Sequence, residues 1–268
     1  MAIITLASAS GSPGVTATAL GLALAWPRPV LLVEADPTGG SALLAGYWRG
    51  QRDQAGLLEL VMAQRHGVLA DALPRMVFPI EDTEVSVLAG TRSHEQATSL
   101  AQLWDPLLQV LQDLPCQDVI VDAGKLGMEH SPKPLVRYSD VTLLVTRSNL
   151  RALAAARSWA KTLADDVLPG HDAKIVLVGE GRKYRAAEVT RVLGLPVLAS
   201  IVWDPRRAEV FIEGTSVPPV RFGGEQGAAR AFEHSAYLRS LRTLATNLAD
   251  AAIAGEEATF GRREPRHA

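Results

Sequence analysis

The sequence predicts an α/β fold, a mostly parallel sheet flanked by helices on both faces. Short apolar runs closed by Gly, Pro, Ser or Asp alternate with alanine- and leucine-rich stretches of helical length along the whole chain. The runs are continuously apolar, as strands covered on both faces are, and lack the polar alternation of a sheet with one wet face. Composition agrees: 47% hydrophobic and 21% charged residues describe a globular chain, and 268 residues can bury a sizeable core in one domain.

The first elements form a βαβ unit. Residues 3–7 read as a buried strand that stops at the Ser/Gly/Pro cluster of residues 8–14. Residues 16–25, rich in Ala and Leu without an internal breaker, read as a helix that Pro27 and Pro29 end. Residues 30–33 form the second strand, and the turn Asp36-Pro37-Thr38-Gly39-Gly40 follows. Further strands are expected at 84–88, 118–121 (ending at Asp122), 141–146, 174–178 and 197–202, and helices at 97–113, 150–164, 184–193, 205–213 and 228–253. No internal repeat or dividing linker interrupts this alternation. The expected organisation is one domain over residues 1–254 and a flexible polar tail, 255–268, carrying Arg262, Arg263 and Arg266.

Composition also excludes several functions. A formal charge of -2 carries no general polyanion-binding signature, so contact with nucleic acid would need a local patch. Cys116 is the single cysteine, which excludes an internal disulfide framework and a cysteine metal cluster. His66, His94, His130, His171, His234 and His267 lack metal-ligand spacing. There is no Gly-x-Ser-x-Gly elbow, and nucleophilic catalysis has no support. The N-terminus lacks a basic segment before its apolar run, and no stretch approaches the roughly 18 apolar residues of a membrane span. The expected location is cytoplasmic.

In open α/β sheets, ligands bind beyond the carboxyl ends of the strands. Polar residues are expected there at 8–18, 34–40 and 122–127. The first segment joins a strand to a helix, and its backbone N–H groups with the helix N-terminus make an anion cradle. Residues 8–23 read S-A-S-G-S-P-G-V-T-A-T-A-L-G-L-A. This resembles, without a gap, the S-A-K-G-G-V-G-K-T-T-T-A-L-N-L-A loop of the ParA/MinD family of deviant P-loop ATPases. Val30-Leu31-Leu32-Val33-Glu34-Ala35-Asp36-Pro37 resembles the family's V-L-L-I-D-x-D-P, and residues 118–122 its Walker B strand. Ser139-Asp140-Val141 opens a segment like the family's A-D-x-x-x-x-V-x, and Trp203-Asp204-Pro205 lies where a turn near adenine is found.

The resemblance implies ATP or ADP with Mg as cofactor. Gly11, Ser12, Gly14, Val15, Thr16 and Ala17 would hold the nucleotide, Thr16 and Asp122 the Mg, and Asp36 would be the catalytic carboxylate. The departures are as specific as the matches. Ser10 stands at the family's signature lysine and Val15 at its P-loop lysine, and Pro13 removes a backbone N–H. Phosphoryl transfer depends on positioning and charge stabilisation, so a loop without these cations is expected to lose turnover before binding. Residue by residue, plainer readings stand beside these: Gly11 and Gly14 as a tight turn, Asp36 as a turn former before Pro37, Asp122 as a cap on Ala123-Gly124. Lys125 is either a substitute cation or a solvated loop lysine.

The function implied is that of a spatial positioning or assembly factor with weak or no ATP hydrolysis, acting as a homodimer with a protein partner or cargo. Val87-Leu88-Ala89-Gly90 resembles a V-L-x-G stretch of the TadZ/CpaE localisation factors of pilus assembly. The alternatives are an active ParA-type ATPase that partitions DNA or protein cargo with a substitute cation, and an interaction module that binds no nucleotide. Arg182, Lys183 and Arg185, Arg206 and Arg207, and Arg230, Arg239 and Arg242 are the places for non-specific DNA contact, or are solvated helix faces. Phe232, Tyr237, Leu238, Leu241, Leu244 and Leu248 form an apolar stripe expected to dock the last helix on the domain.

Overall fold

A computed structural model describes residues 1–11, 14–52, 55–166 and 171–260, with 252–260 described by backbone alone. In chain order its elements are β1 (Ile3–Ser8), α1 (Val15–Leu24), β2 (Val30–Glu34), a π-helical turn (Leu43–Tyr47), α2 (Leu57–Arg65), α3 (Leu69–Met76), β3 (Phe78–Pro79) and β4 (Val85–Leu88). A 3₁₀ turn (His94–Gln96), α4 (Ala97–Leu100), α5 (Trp104–Gln112), β5 (Asp118–Lys125), α6 (Lys133–Tyr138), β6 (Val141–Arg147) and α7 (Leu150–Asp166) follow. The chain continues with β7 (Asp172–Val178), α8 (Ala186–Leu193), β8 (Val197–Ile201), α9 (Pro205–Ile212), α10 (Gly224–Glu233) and α11 (Ala236–Phe260).

The described strands form one eight-stranded sheet in the order β3-β4-β2-β5-β1-β6-β7-β8. Its pairs are parallel except β3 with β4. Because successive side chains of a strand point to opposite faces, the strands feed two cores. Ile3, Leu31, Val33, Val119 and Val121 pack with α2, α3, α5, α6, α7 and α8. Ile4, Leu6, Leu32, Ile120, Leu143 and Val145 pack with α1, α9 and α11. Helix α1 is buried on nearly every side, between the sheet and the last helix. A Cβ on Gly21 would come within 2.6 Å of Leu241 Cδ1, so glycine there lets α1 and α11 approach. At the amino ends of the strands, away from the ligand edge, buried Asp118 accepts from Ala2 N (2.8 Å), Trp26 Nε1 (2.9 Å) and Arg28 Nε (2.9 Å).

Several element boundaries differ from the sequence reading. The helix expected at 97–113 is two, α4 and α5. The helix expected at 228–253 is broken between α10 and α11, where Ser235 Oγ accepts from Leu238 N (3.2 Å) and caps a new helix start. Arg239 and Arg242 then donate to the carbonyls of His234 and Glu233 (each 2.6 Å), so both cap the end of α10. Strand β5 runs past Asp122 to Lys125, in register with Ser8. Tyr237, Leu241, Leu244 and Leu248 are buried, as the docked stripe requires. Helix α11 continues to Phe260, and residues 261–268 lie outside the described residues. Among the described residues no helix is long and apolar enough to cross a membrane.

Candidate functional site

A cleft of about 540 Å³ opens beyond the carboxyl ends of β1, β5, β6, β7 and β8. One wall is the start of α1: Gly11, Gly14, Val15, Thr16, Ala17 and Thr18 line it, opposite Asp36 and Thr38. Gly14 precedes the helix with φ 95°, a left-handed conformation that glycine adopts without strain. The first intrahelical bond at this end is Thr18 N to Gly14 O (2.9 Å), so the N–H groups of Val15, Thr16 and Ala17 have no acceptor among the described residues. Gly11 has no positive φ and a Cβ there would touch nothing, so this position does not itself demand glycine. Ser12 and Pro13 lie outside the described residues. Val15 is 6% exposed and its side chain joins the core beneath the loop, leaving its N–H as its polar contribution to the cleft.

Strand periodicity gathers the remaining groups. Glu34 follows Leu32, Asp122 follows Ile120 and Arg147 follows Val145 by two residues, and all three preceding residues face α1. Asp122 is therefore delivered beneath Thr16, whose hydroxyl it accepts, and its Oδ1 also accepts from Gly124 N (3.0 Å). Asp36 Oδ1 accepts from the N (2.9 Å) and Oγ1 (2.8 Å) of Thr38, so it does form the turn before residue 38. A Cβ on Gly124, at φ 61°, would lie 2.2 Å from the Asp36 carboxyl, so the two acidic turns meet only because residue 124 is glycine. Glu34, which the sequence reading left without a role, is buried and fully bonded. Its Oε2 accepts from Ser41 Oγ (2.5 Å) and Gly90 N (2.9 Å), and its Oε1 from Leu43 N (3.0 Å). The Val87–Gly90 stretch thus closes on Glu34.

Two of the carboxyls in this corner, Asp122 and Glu34, are buried and hold their protons more tightly than usual. Asp122 is pushed up to about 7, first by burial and then by the charges of Asp36 and Glu34, against the lowering effect of Thr16 and Gly124. Glu34 is also raised, by burial before anything else. The sign of the consequence follows from proton linkage. The folded chain keeps protons that the unfolded chain releases above about pH 4. The stability these groups contribute is complete below that pH and is lost as pH rises through about 7. We expect magnesium-free protein to lose stability between about pH 4 and 7, at roughly 1 kcal/mol per pH unit where the slope is steepest, and to level off above that. Urea unfolding of wild type and Asp122→Asn checks this, because the variant is expected to show a shallower slope; equal slopes contradict it.

The far wall is apolar and aromatic: Val178, Ile201, Trp203, Pro205, Ala208, Ile212 and Tyr237. Two cationic side chains line the cleft among the described residues, Lys125 and Arg147. Lys125 ends a strand and is exposed at the cleft. Arg147 was missed by sequence reasoning, although its parity with Leu143 and Val145 could have found it. The basic clusters read from the sequence divide. Arg182 lies over the Trp203 ring, 5.0 Å from its centroid, while Lys183 and Arg185 are exposed. Arg207 is engaged by Asp204, the N-cap of α9. Among the described residues no group of three His, Cys, Asp or Glu is arranged to hold a metal, so an ion here would need ligand oxygens besides the protein's own.

No protein-family model matches the chain. Two curated proteins of Mycobacterium tuberculosis, the uncharacterized proteins MT3760 and Rv3660c, are each 29% identical to it over 228 residues, covering 80% of this chain and 58% of theirs. The chain thus spans 58% of the length of the curated relatives it matches. Solved structures align over nearly the whole chain. The cell division ATPase MinD of Pyrococcus furiosus gives a TM-score of 0.71 at 19% identity, covering 94% of this chain and 100% of that one. The septum site-determining protein MinD of Pyrococcus horikoshii, complexed with Mg-ADP, gives 0.69 at 19% identity, covering 95% and 98%. A ParA family ATPase of Chlorobium tepidum gives 0.70 at 17% identity, covering 92% and 98%.

Proposed function

We propose, from the fold that this chain shares with the MinD and ParA ATPases, that it binds a magnesium nucleotide in the cleft at α1 and works as a positioning or assembly factor without appreciable hydrolysis. One observation carries the reading. The free N–H groups of Val15, Thr16 and Ala17 face the same cleft as Asp36, with Asp122 bonded to Thr16 beneath. This donor set suits phosphate oxygens at the helix start. It also leaves an oxygen-rich corner for a hard cation that completes its shell with phosphate and water. Thr16 and Asp122 would hold that Mg, which would supply charge neutralisation to the phosphates. The apolar far wall would take the base.

Retention without turnover follows from the same residues. Binding uses backbone N–H groups and an acidic metal corner, and these are present. Hydrolysis needs cations around the transferring phosphoryl group, and positions 10 and 15 carry Ser and Val. Such a protein would act through what its bound state presents to a second copy and to a protein partner. Localisation factors of pilus assembly are the kind of role proposed, with DNA contact at Lys183 and Arg185 a lesser one.

Calorimetry of the full chain with Mg-ADP tests the reading. We expect saturable binding that weakens at least tenfold in Asp122→Ala. Absence of heat at millimolar nucleotide would leave the cleft as an interaction surface alone.

A further inference from the structure

Arg147 has an environment that nothing in the domain's own contacts accounts for. Its guanidinium lies 4.6 Å from the centroid of the Trp203 ring. Among the described residues its buried Nε has no hydrogen-bond partner and no carboxylate pairs with it. Burial pushes its pKa down from the usual guanidinium range. A half-buried cation stacked on one aromatic face, with its Nε–H shut off from water and without an acceptor, lacks one hydrogen bond that it would make in solvent. That costs free energy unless an acceptor of suitable geometry arrives.

Sheet order says which part of the cleft this cation serves. Strand β6 lies between β1, whose end opens the loop into α1, and β7, whose Val178 belongs to the apolar wall. Ala7 pairs with Leu144 and Arg147 with Val178, so Arg147 projects from the floor three residues past the level of Ala7. It stands between the phosphate cradle and the base wall. A planar fork of N–H donors there matches the paired oxygens of a phosphate, and a guanidinium does this better than an ammonium.

We propose that Arg147 is the phosphate-binding cation of this cleft, carried on β6 instead of in the loop, so that the ligand is a nucleoside di- or triphosphate held across its phosphate chain. This rests on the nucleotide reading above and adds the residue that recognises the phosphates. It also explains how a loop with Val15 can keep its ligand while losing turnover. The charge comes from the carboxyl end of a strand and leaves the helix end, where a lysine would attend transfer, uncharged.

The test titrates the full chain with Mg-ADP, and with pyrophosphate as competitor, in wild type, Arg147→Met and Arg147→Lys. Methionine keeps an unbranched apolar stem beside Trp203 but removes charge and donors. The expected result is about a tenfold or larger loss of Mg-ADP affinity in Arg147→Met, partial recovery in Arg147→Lys, and a matching loss in the ability of pyrophosphate to displace Mg-ADP. Unchanged Mg-ADP affinity in Arg147→Met overturns the proposal while leaving nucleotide binding intact. So does a loss of Mg-ADP affinity with pyrophosphate competing as well as before, which would put Arg147 on the base. Pyrophosphate that fails to compete in wild type overturns it without reference to any variant. No binding of Mg-ADP by wild type overturns the nucleotide reading itself, and this inference with it.

Discussion

Glu34→Ala is expected to destabilise the chain by about 3–5 kcal/mol, enough to remove a large part of a domain's net stability. Glu34 is 2% exposed, and its carboxyl receives Ser41 Oγ, Leu43 N and Gly90 N. Removing it leaves three donors facing a hollow sealed by the π-helical turn and by residue 90. The carboxyl also sets the path of the chain. It ties the end of β2 to Leu43 nine residues on and to Gly90 beyond β4, whose missing Cβ would otherwise sit 3.0 Å from Glu34 Cγ. A thermal midpoint lower by roughly 10 °C is expected for a domain of this size. Glu34→Gln, with one acceptor oxygen in place of two, is expected to lose about half as much. A loss below about 1 kcal/mol in the alanine variant, measured by urea unfolding at pH 7, would mean that water replaces the carboxylate without penalty.

Val15→Lys is expected to raise affinity for Mg-ATP by about one to two powers of ten, the net worth of a charge-assisted hydrogen bond. Position 15 is the first residue of α1, and its N–H already faces the cleft. The valine side chain packs into the core there, and the aliphatic stem of a lysine can cover the same surface while its ammonium reaches the cleft edge. Wild-type phosphate release from Mg-ATP is expected to equal that of a Thr16→Ala, Asp36→Ala double variant. Adding Ser10→Lys to Val15→Lys is the change expected to bring release above that baseline. Wild-type release well above the double variant would show that Lys125, Arg147 or another cation already does the work of the missing lysines.

The alternation of strand and helix was legible because it is a local pattern. Apolar runs of strand length between turn residues, and Ala/Leu stretches between breakers, carry their own period and their own ends. The position of the loop that opens the cleft was legible for the same reason, since residues 8–23 form one uninterrupted segment. Thr16, Asp36 and Asp122 come from three separate segments, and the structure brings them around one corner. Other features were not legible. The helix boundary at Ser235 depends on a capping bond and on arginines that reach back to the preceding helix. Lys125 reads as a loop residue until β5 is seen to extend alongside Ser8.

What the sequence alone determined is the fold class, the order of elements, and a loop suited to an anion yet lacking lysines. These follow from periodicity and from residue identity within single segments. Only the tertiary structure decided that Glu34 is a buried clamp, that Val15 turns inward, and that Arg147 rests against Trp203 without a carboxylate partner among the described residues. Each of those depends on which strands are neighbours and on what is packed above them. Burial, desolvation and the supply of hydrogen-bond partners are properties of that neighbourhood, and residues far apart in the chain create it.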